Sequence, residues 1–409
     1  MTRRRRMISP GLLLAGALTF GAAGPVAAGD ATPGATPTTG TGWTLASQET
    51  IGGDGMQPLA LSPDGSAIAM WDTDQGEICS FPTITREAPT CAPFTASVLL
   101  DSVAWSPDGS RLVFTENFTQ YLEESDIHVF DVGSGEVTNL TDDGVEGSPF
   151  GSDEPSDIDL APAWSPDGTE IVFARSDSLR VDGTSLYRIA ADGSGEADRI
   201  DRVSSYSIAV YGGIHWVEDD RILYSVMAPE VDPDNGIWEI DPAGGEPNQL
   251  VDANEYDTTT MILADASSDG ASGLVIDQRA MAEYSIPLTR PTHYLLDLET
   301  GDTTALDFGA IGLPPSEALA TDSGVPQSVM AVGFSPEGDR FAAAVTLPGG
   351  ERQLWVVDIA TVEHTVAGEL DDPIGAFGTR PGLDWGENDS LLGPGAARTG
   401  ILMMLEPAD

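Results

Sequence analysis

The chain has 409 residues and a formal charge of −48, set by 66 Asp and Glu against 18 basic residues, all of them Arg. A field of that sign repels phosphate backbones and anionic lipid. It therefore excludes nucleic acid as a partner and favours cations or basic surfaces. Adaptation to salt, or genome composition alone, is the other source of such a charge.

The first residues read as an address. Arg3 to Arg6 form a basic start, and Gly11 to Phe20 are an apolar run too short to cross a bilayer. Val26-Ala27-Ala28 then offers small residues for cleavage, so residues 1–28 are predicted to be a signal peptide. An uncleaved membrane anchor is the alternative. Arg4-Arg5-Arg6-Met7-Ile8 also fits a twin-arginine signal, and no Cys follows the apolar run to take a lipid. The expected location is the periplasm, cell surface or medium. Loss of the four leading Arg moves the charge from −48 to −52. Residues 29–42 are rich in Thr, Pro and Gly without periodicity, as a flexible linker is. From Trp43 to Asp409 no apolar run approaches spanning length, so 43–409 is expected to be one domain without a transmembrane segment.

Cys79 and Cys91, twelve positions apart, are the only cysteines. In an exported chain they are expected to form a disulfide, with two buried free thiols as the alternative. Either state argues against a Cys-based metal site.

Internal repetition sets the architecture. Leu61-Ser62-Pro63-Asp64-Gly65 recurs as Trp105-Ser106-Pro107-Asp108-Gly109, Trp164-Ser165-Pro166-Asp167-Gly168 and Phe334-Ser335-Pro336-Glu337-Gly338. Weaker copies begin at Trp216, Ala266 and Trp385. Pro presets φ, Asp tolerates the bridge region and Gly takes the left-handed conformation, so each copy is a hairpin turn. A β-rich run follows it, as in Arg111-Leu112-Val113-Phe114 or Glu170-Ile171-Val172-Phe173. A third run comes at a matching offset, such as Ile127-His128-Val129-Phe130 or Ile237-Trp238-Glu239-Ile240, and a fourth after a second turn. Four antiparallel strands per repeat make one blade of a β-propeller. Seven turns predict an all-β, seven-bladed propeller; six blades with one long insertion is the alternative, because the Ala266 copy lacks Pro and the aromatic. The last copy leaves room for three strands only, while Trp43 to Glu49 is an orphan strand. Closure by pairing that N-terminal strand into the last blade accounts for both, whereas an open solenoid would leave exposed edges.

These Ser-Pro-Asp-Gly motifs resemble the Pro-Asp variant of the WD-type repeat found in TolB-type propellers, over nearly all of 43–409. The resemblance implies a cell-envelope binding role, although the chain lacks a separate N-terminal domain of the TolB kind and TolB-type propellers typically have six blades.

Strand order places the Ser-Pro-Asp-Gly turns on one face of the disc and the long insertions on the other. Long loops gathered on one face are what a binding surface looks like. Those loops hold the candidate acidic binding residues Glu123, Glu124, Asp126, Asp142, Asp143, Asp153, Glu154, Asp157 and Asp159. Such clusters suit a basic partner or Ca²⁺, though EF-hand spacing is absent and solvated loops are the bland reading. Phe118, Tyr121, Phe150, Tyr211 and Tyr284 are a candidate aromatic rim, with packing of their own loops as the alternative. Trp105, Trp164, Trp216 and Trp385 fall at the repeat position that packs between blades.

No residue is assigned a catalytic, cofactor or metal role. The four His are dispersed, the Gly-x-Ser-x-Gly elbow is absent, and no phosphate-binding Gly loop precedes a helix. The expected function is a monomeric binding module for a protein or glycan, not an enzyme and without a cofactor. Two alternatives stand: a carbohydrate-active hydrolase or lyase using channel carboxylates, and a structural exoprotein without a discrete site.

Overall fold

The computed structural model describes residues 42–117, 122–123, 125–144, 148–149, 157–177, 184–204, 213–218, 221–227, 231–256, 258, 261–277, 293–306, 329–347, 351–371, 382–395 and 398–408. The predicted signal peptide and nearly all of the linker lie outside them.

The Ser-Pro-Asp-Gly turn shows why the repeat folds as it does. In the second copy the Ser106 hydroxyl donates to Asp108 Oδ1 (2.6 Å), and the same carboxylate accepts the Ser110 N–H (3.0 Å). Ser106 Oγ also accepts the Arg111 N–H (2.9 Å), which starts the next strand. Gly109 closes the turn at φ +67°, where an L side chain is strained. These hydrogen bonds, led by the one from Ser106, pull the Asp108 pKa down to about 2. The copy at Ala266 lacks Pro yet builds the same turn: Ser267 donates to Asp269 (2.7 Å), and Gly270 sits at φ +67°. Ser, Asp and Gly therefore make the turn, and Pro is dispensable.

Seven four-stranded antiparallel sheets result. From the inner to the outer strand, blade one is Met56–Leu61, Ala67–Asp72, Glu77–Pro82 and Thr90–Pro93. Blade two is Ser97–Trp105, Arg111–Asn117, Ile127–Asp131 and Glu136–Asn139; blade three is Asp157–Trp164, Glu170–Asp177, Thr184–Ala190 and Asp198–Ser204. Blade four runs Ile214–Val217, Arg221–Val226, Gly236–Ile240 and Asn248–Asp252; blade five Met261–Ala266, Ser272–Asp277, His293–Asp297 and Thr303–Ala305. Blade six comprises Val329–Phe334, Arg340–Thr346, Arg352–Asp358 and His364–Glu369. Blade seven takes Asp384–Trp385, Ser390–Pro394 and Thr399–Pro407 from the C-terminal end and Trp43–Gly52 as its outer strand. Leu122–Glu123 and Ser148–Pro149 add a small two-stranded ladder, and Ala253–Tyr256 is a 3-10 turn.

The ring closes as expected, by an antiparallel ladder running from Trp43 opposite Pro407 to Gly52 opposite Thr399. Blade seven is also stapled to blade one: Asp384 Oδ2 accepts the Leu61 N–H (2.9 Å), and the Glu387 N–H donates to the Pro63 carbonyl (2.8 Å).

The apolar core is divided among the blade interfaces. Seven clusters form, one per pair of neighbouring blades, including Ile51, Leu61, Ile68 and Leu402 at the closing seam. Seven interfaces between seven blades leave no place for the six-bladed alternative. Phe114, Phe130, Phe173 and Phe341 are fully buried, each contributing on the order of 2–3 kcal/mol by leaving water. Trp105, Trp164 and Trp385 are buried between blades and Trp216 half-buried. The Trp105 and Trp164 indoles donate to the inner strand of the preceding blade, at Ala60 (3.2 Å) and Ala104 (3.0 Å). Arg111 and Arg221 donate forward to the Gly168 (2.6 Å) and Gly270 (2.5 Å) carbonyls of the next blade's turn. Cys79 and Cys91 lie opposite each other on adjacent strands of blade one and are joined as a disulfide.

Candidate functional site

Strand direction gives the disc two unlike faces. On the Ser-Pro-Asp-Gly face no connection between described strands exceeds seven residues. The four longest connections, 140–156, 278–292, 306–328 and 370–383, all join strand ends on the opposite face.

Beneath that face, between blades two and three, lies a buried polar cluster. Asp159 is on the inner strand of blade three, directly across from Arg175, and is fully buried. Arg175 grips it with two parallel hydrogen bonds, Nε to Oδ1 (2.6 Å) and the guanidinium to Oδ2 (2.7 Å). A third contact reaches Asp157 at 3.2 Å. Burial pushes the Asp159 carboxyl up to about 6, against the pull of Arg175. Burial opposes the Arg175 charge too, but Asp159 and Asp157 outweigh it and raise its pKa. The guanidinium also covers the Phe173 and Tyr187 rings.

The neighbouring acid is Asp126. It accepts hydrogen bonds from Asn139 Nδ2 (2.7 Å) and the Thr141 hydroxyl (3.1 Å). Burial, then the nearby Glu116 carboxylate, raise its pKa despite those donors. Ser125, adjacent, donates its hydroxyl to the Asp159 carbonyl (2.8 Å), tying blade two to blade three.

The sequence-derived acidic loop thus divides. Asp142 and Asp143 are exposed on the long-connection face, and Asp157 is half-exposed at its edge. Asp126 and Asp159 are buried, which corrects their reading as loop residues offered to a partner. Asp157-Ile158-Asp159-Leu160 alternates polar and apolar at the period of a strand, and Arg175 on the paired strand neutralises the inward acid. Glu123 is in the short ladder, while Glu124, Asp153 and Glu154 lie outside the described residues, as do Phe118, Tyr121, Phe150, Tyr211 and Tyr284.

The inner strands enclose a cavity of about 400 Å³ at the turn-face end, lined by Trp105, Trp164, Trp216, His215, Asp265 and Asp384 among others. Its two acids serve the ring: Asp265 Oδ2 accepts the Phe334 N–H (2.8 Å), as Asp384 does that of Leu61. Among the described residues the carboxyls with raised pKa are Asp126, Asp159 and Asp389, and none of them lines this cavity. The four His stand on four blades; burial pushes His293 down to about 4.

The profile of the dipeptidyl peptidase IV (DPP IV) N-terminal region matches residues 88–209, from the outer strand of blade one through blade three. Among solved structures, the WD40 repeats of RRP9 share 11% identity at a TM-score of 0.55, over 89% of this chain and 99% of that one. The chain shares the β-propeller fold of those repeats. An oligogalacturonate lyase in complex with manganese has the same fold at 10% identity and a TM-score of 0.59, with 90% of this chain and 99% of the lyase covered. TolB from Acinetobacter baumannii aligns at 15% identity and a TM-score of 0.43, over 88% of this chain but only 65% of the TolB chain. No curated protein matches the sequence. No helix among the described residues is long and apolar enough to cross a membrane.

Proposed function

We propose that this propeller is an extracytoplasmic binding module that engages a basic protein, or a glycan, through its long-connection face. The observation behind the reading is the asymmetry of the disc: one face is sealed by turns of seven residues or fewer, and every long connection leaves from the other. Loops presented by a rigid scaffold are where recognition residues concentrate. Exposed Asp142 and Asp143 on that face, in a chain of net charge −48, favour a cationic partner.

The test compares two triple variants in capture from culture-fluid and envelope extracts. Replacing Asp142, Asp143 and Asp157 by Asn should abolish capture of whatever the native protein retains. Replacing the exposed turn-face residues Glu87, Asp192 and Glu196 by Gln, Asn and Gln should not. Equal losses from both sets, or loss from the turn-face set alone, would refute the reading.

The cavity supports a second reading, a glycan-active enzyme working from the channel, because the lyase neighbours share the fold and Asp265 and Asp384 line the space. Against it, both acids are already committed to neighbouring backbone. Release of unsaturated uronate from oligogalacturonate, lost in Asp265→Asn and Asp384→Asn variants that still fold, would establish it.

A further inference from the structure

Blade two brings a second set of side chains together, separate from the exposed acids of the binding reading. Phe114 on the second strand lies opposite His128 on the third, and the Glu116 N–H bonds to the Asp126 carbonyl two residues along. Side chains two apart on a strand share a face. Glu116, Asp126 and His128 therefore stand on one side of the blade, the side packed toward Phe94 of blade one. One imidazole nitrogen and one oxygen from each carboxylate lie within 4.8 Å of one another.

The imidazole is the informative member. Its side chain is 9% exposed, held between Phe94 and Phe114, and its Nε2 has no hydrogen-bond partner. That nitrogen lies beside the carboxylates: Glu116 Oε2 is 3.3 Å away, at an angle that makes no hydrogen bond. A buried polar atom without a hydrogen bond is costly, and two carboxylates facing each other in a partly buried pocket call for a cation between them. The carboxylate of Asp126 is already oriented from behind by Asn139 and Thr141, as supporting hydrogen bonds orient a metal ligand. Glu116, with a side chain 25% exposed, leaves an entry path on the long-connection side.

We propose that Glu116, Asp126 and His128 form a binding site for one divalent transition-metal ion, Zn²⁺ by donor set, in the wall between blades one and two. Imidazole with two carboxylates suits Zn²⁺ or Mn²⁺ and not Ca²⁺, which takes six to eight oxygens. Ligand atoms of a tetrahedral ion with bonds of about 2.1 Å stand about 3.4 Å apart, so the cluster closes with adjustment of the partly exposed Glu116 side chain. Three protein ligands leave a fourth position open to solvent or a ligand's donor atom. The site does not depend on the binding reading.

The test is calorimetric titration of the chelator-stripped full chain with Zn²⁺ alone, then with Mn²⁺ and Ca²⁺, in enough salt to screen the surface acids. One Zn²⁺ per chain is expected, with affinity falling at least tenfold in Glu116→Gln and His128→Gln and Ca²⁺ unable to compete. Co²⁺ should give the intense visible bands of a low-coordinate, nitrogen-ligated site, lost in His128→Gln. The Glu116→Gln change is near the surface and keeps the fold testable if His128→Gln does not fold. Absence of a one-to-one ion, unchanged affinity in folded Glu116→Gln, or equal displacement by Ca²⁺ would overturn the proposal.

Discussion

Replacing Arg175 by Met keeps an apolar stem against Phe173 and Tyr187 but leaves Asp159 buried without its countercharge. In the native protein the Asp159 pKa is about 6, above its ordinary value of 3.8. A group raised in the folded state favours folding most below its unfolded pKa, and that contribution is lost as pH rises through the folded one. For Asp159 the window runs from roughly pH 4 to pH 6, and two units correspond to about 3 kcal/mol. Without Arg175 the two charge-assisted bonds are gone and the folded pKa climbs further, so the loss extends to higher pH. Breaking a buried pair from one side costs roughly 3–5 kcal/mol. We therefore expect Arg175→Met to lose about that much at pH 7.5, and only about 1–2 kcal/mol at pH 4.5, where Asp159 is protonated in both proteins. Urea unfolding followed by Trp fluorescence at the two pH values reads the difference, provided the slope is unchanged. Adding Asp159→Asn should recover part of the loss at pH 7.5. A deficit that is the same at both pH values would assign the effect to lost ring contacts and refute the electrostatic account; so would a loss under about 1 kcal/mol.

Three other perturbations probe the ring. Deleting residues 43–52 exposes the Thr399–Pro407 edge, and we expect loss of cooperative unfolding together with aggregation, visible by size-exclusion chromatography. Gly65→Ala should cost more than Gly109→Ala by about 1–2 kcal/mol in urea midpoints: both have positive φ, but a Cβ at Gly65 would collide with Asn388 across the closing seam, whereas at Gly109 the nearest atom is 4.0 Å away. Equal costs would mean that the seam yields freely. Cys79→Ser with Cys91→Ser should lose about 3 kcal/mol, as expected for a 12-residue closure, and become indifferent to reductant. A native protein equally indifferent to reductant would deny the disulfide a stabilising role.

The propeller was legible because its turn is a local device. Ser106, Asp108 and Gly109 make the hairpin from their own hydrogen bonds and φ, so the motif survives in sequence wherever the geometry does. Blade count was harder to read at Ala266, since the missing Pro and aromatic are the conspicuous letters of the repeat and not the ones that hold the turn. Strand starts were less legible where a connection is long: Asp157 and Asp159 belong to a strand whose register shifts between Leu160 and Ala163, a break that masks the alternation.

The polar clusters were hidden for a different reason. Acidic residues are so numerous that their sequence clustering says nothing about which of them are buried, and burial is what gives a carboxylate chemistry. Asp159 is set apart from Asp142 by Arg175, a residue on another strand, and Asp126 by Glu116 and His128 across the same blade. The signal that was available is narrower than acidity: an Asp-x-His pair at strand spacing, with Glu116 two residues past the Phe that faces the His. Alternation places all three on one face before any side chain is positioned. In so acidic a chain, the residues worth testing first are those that a strand register forces together, because only there does one charge have no water to answer it.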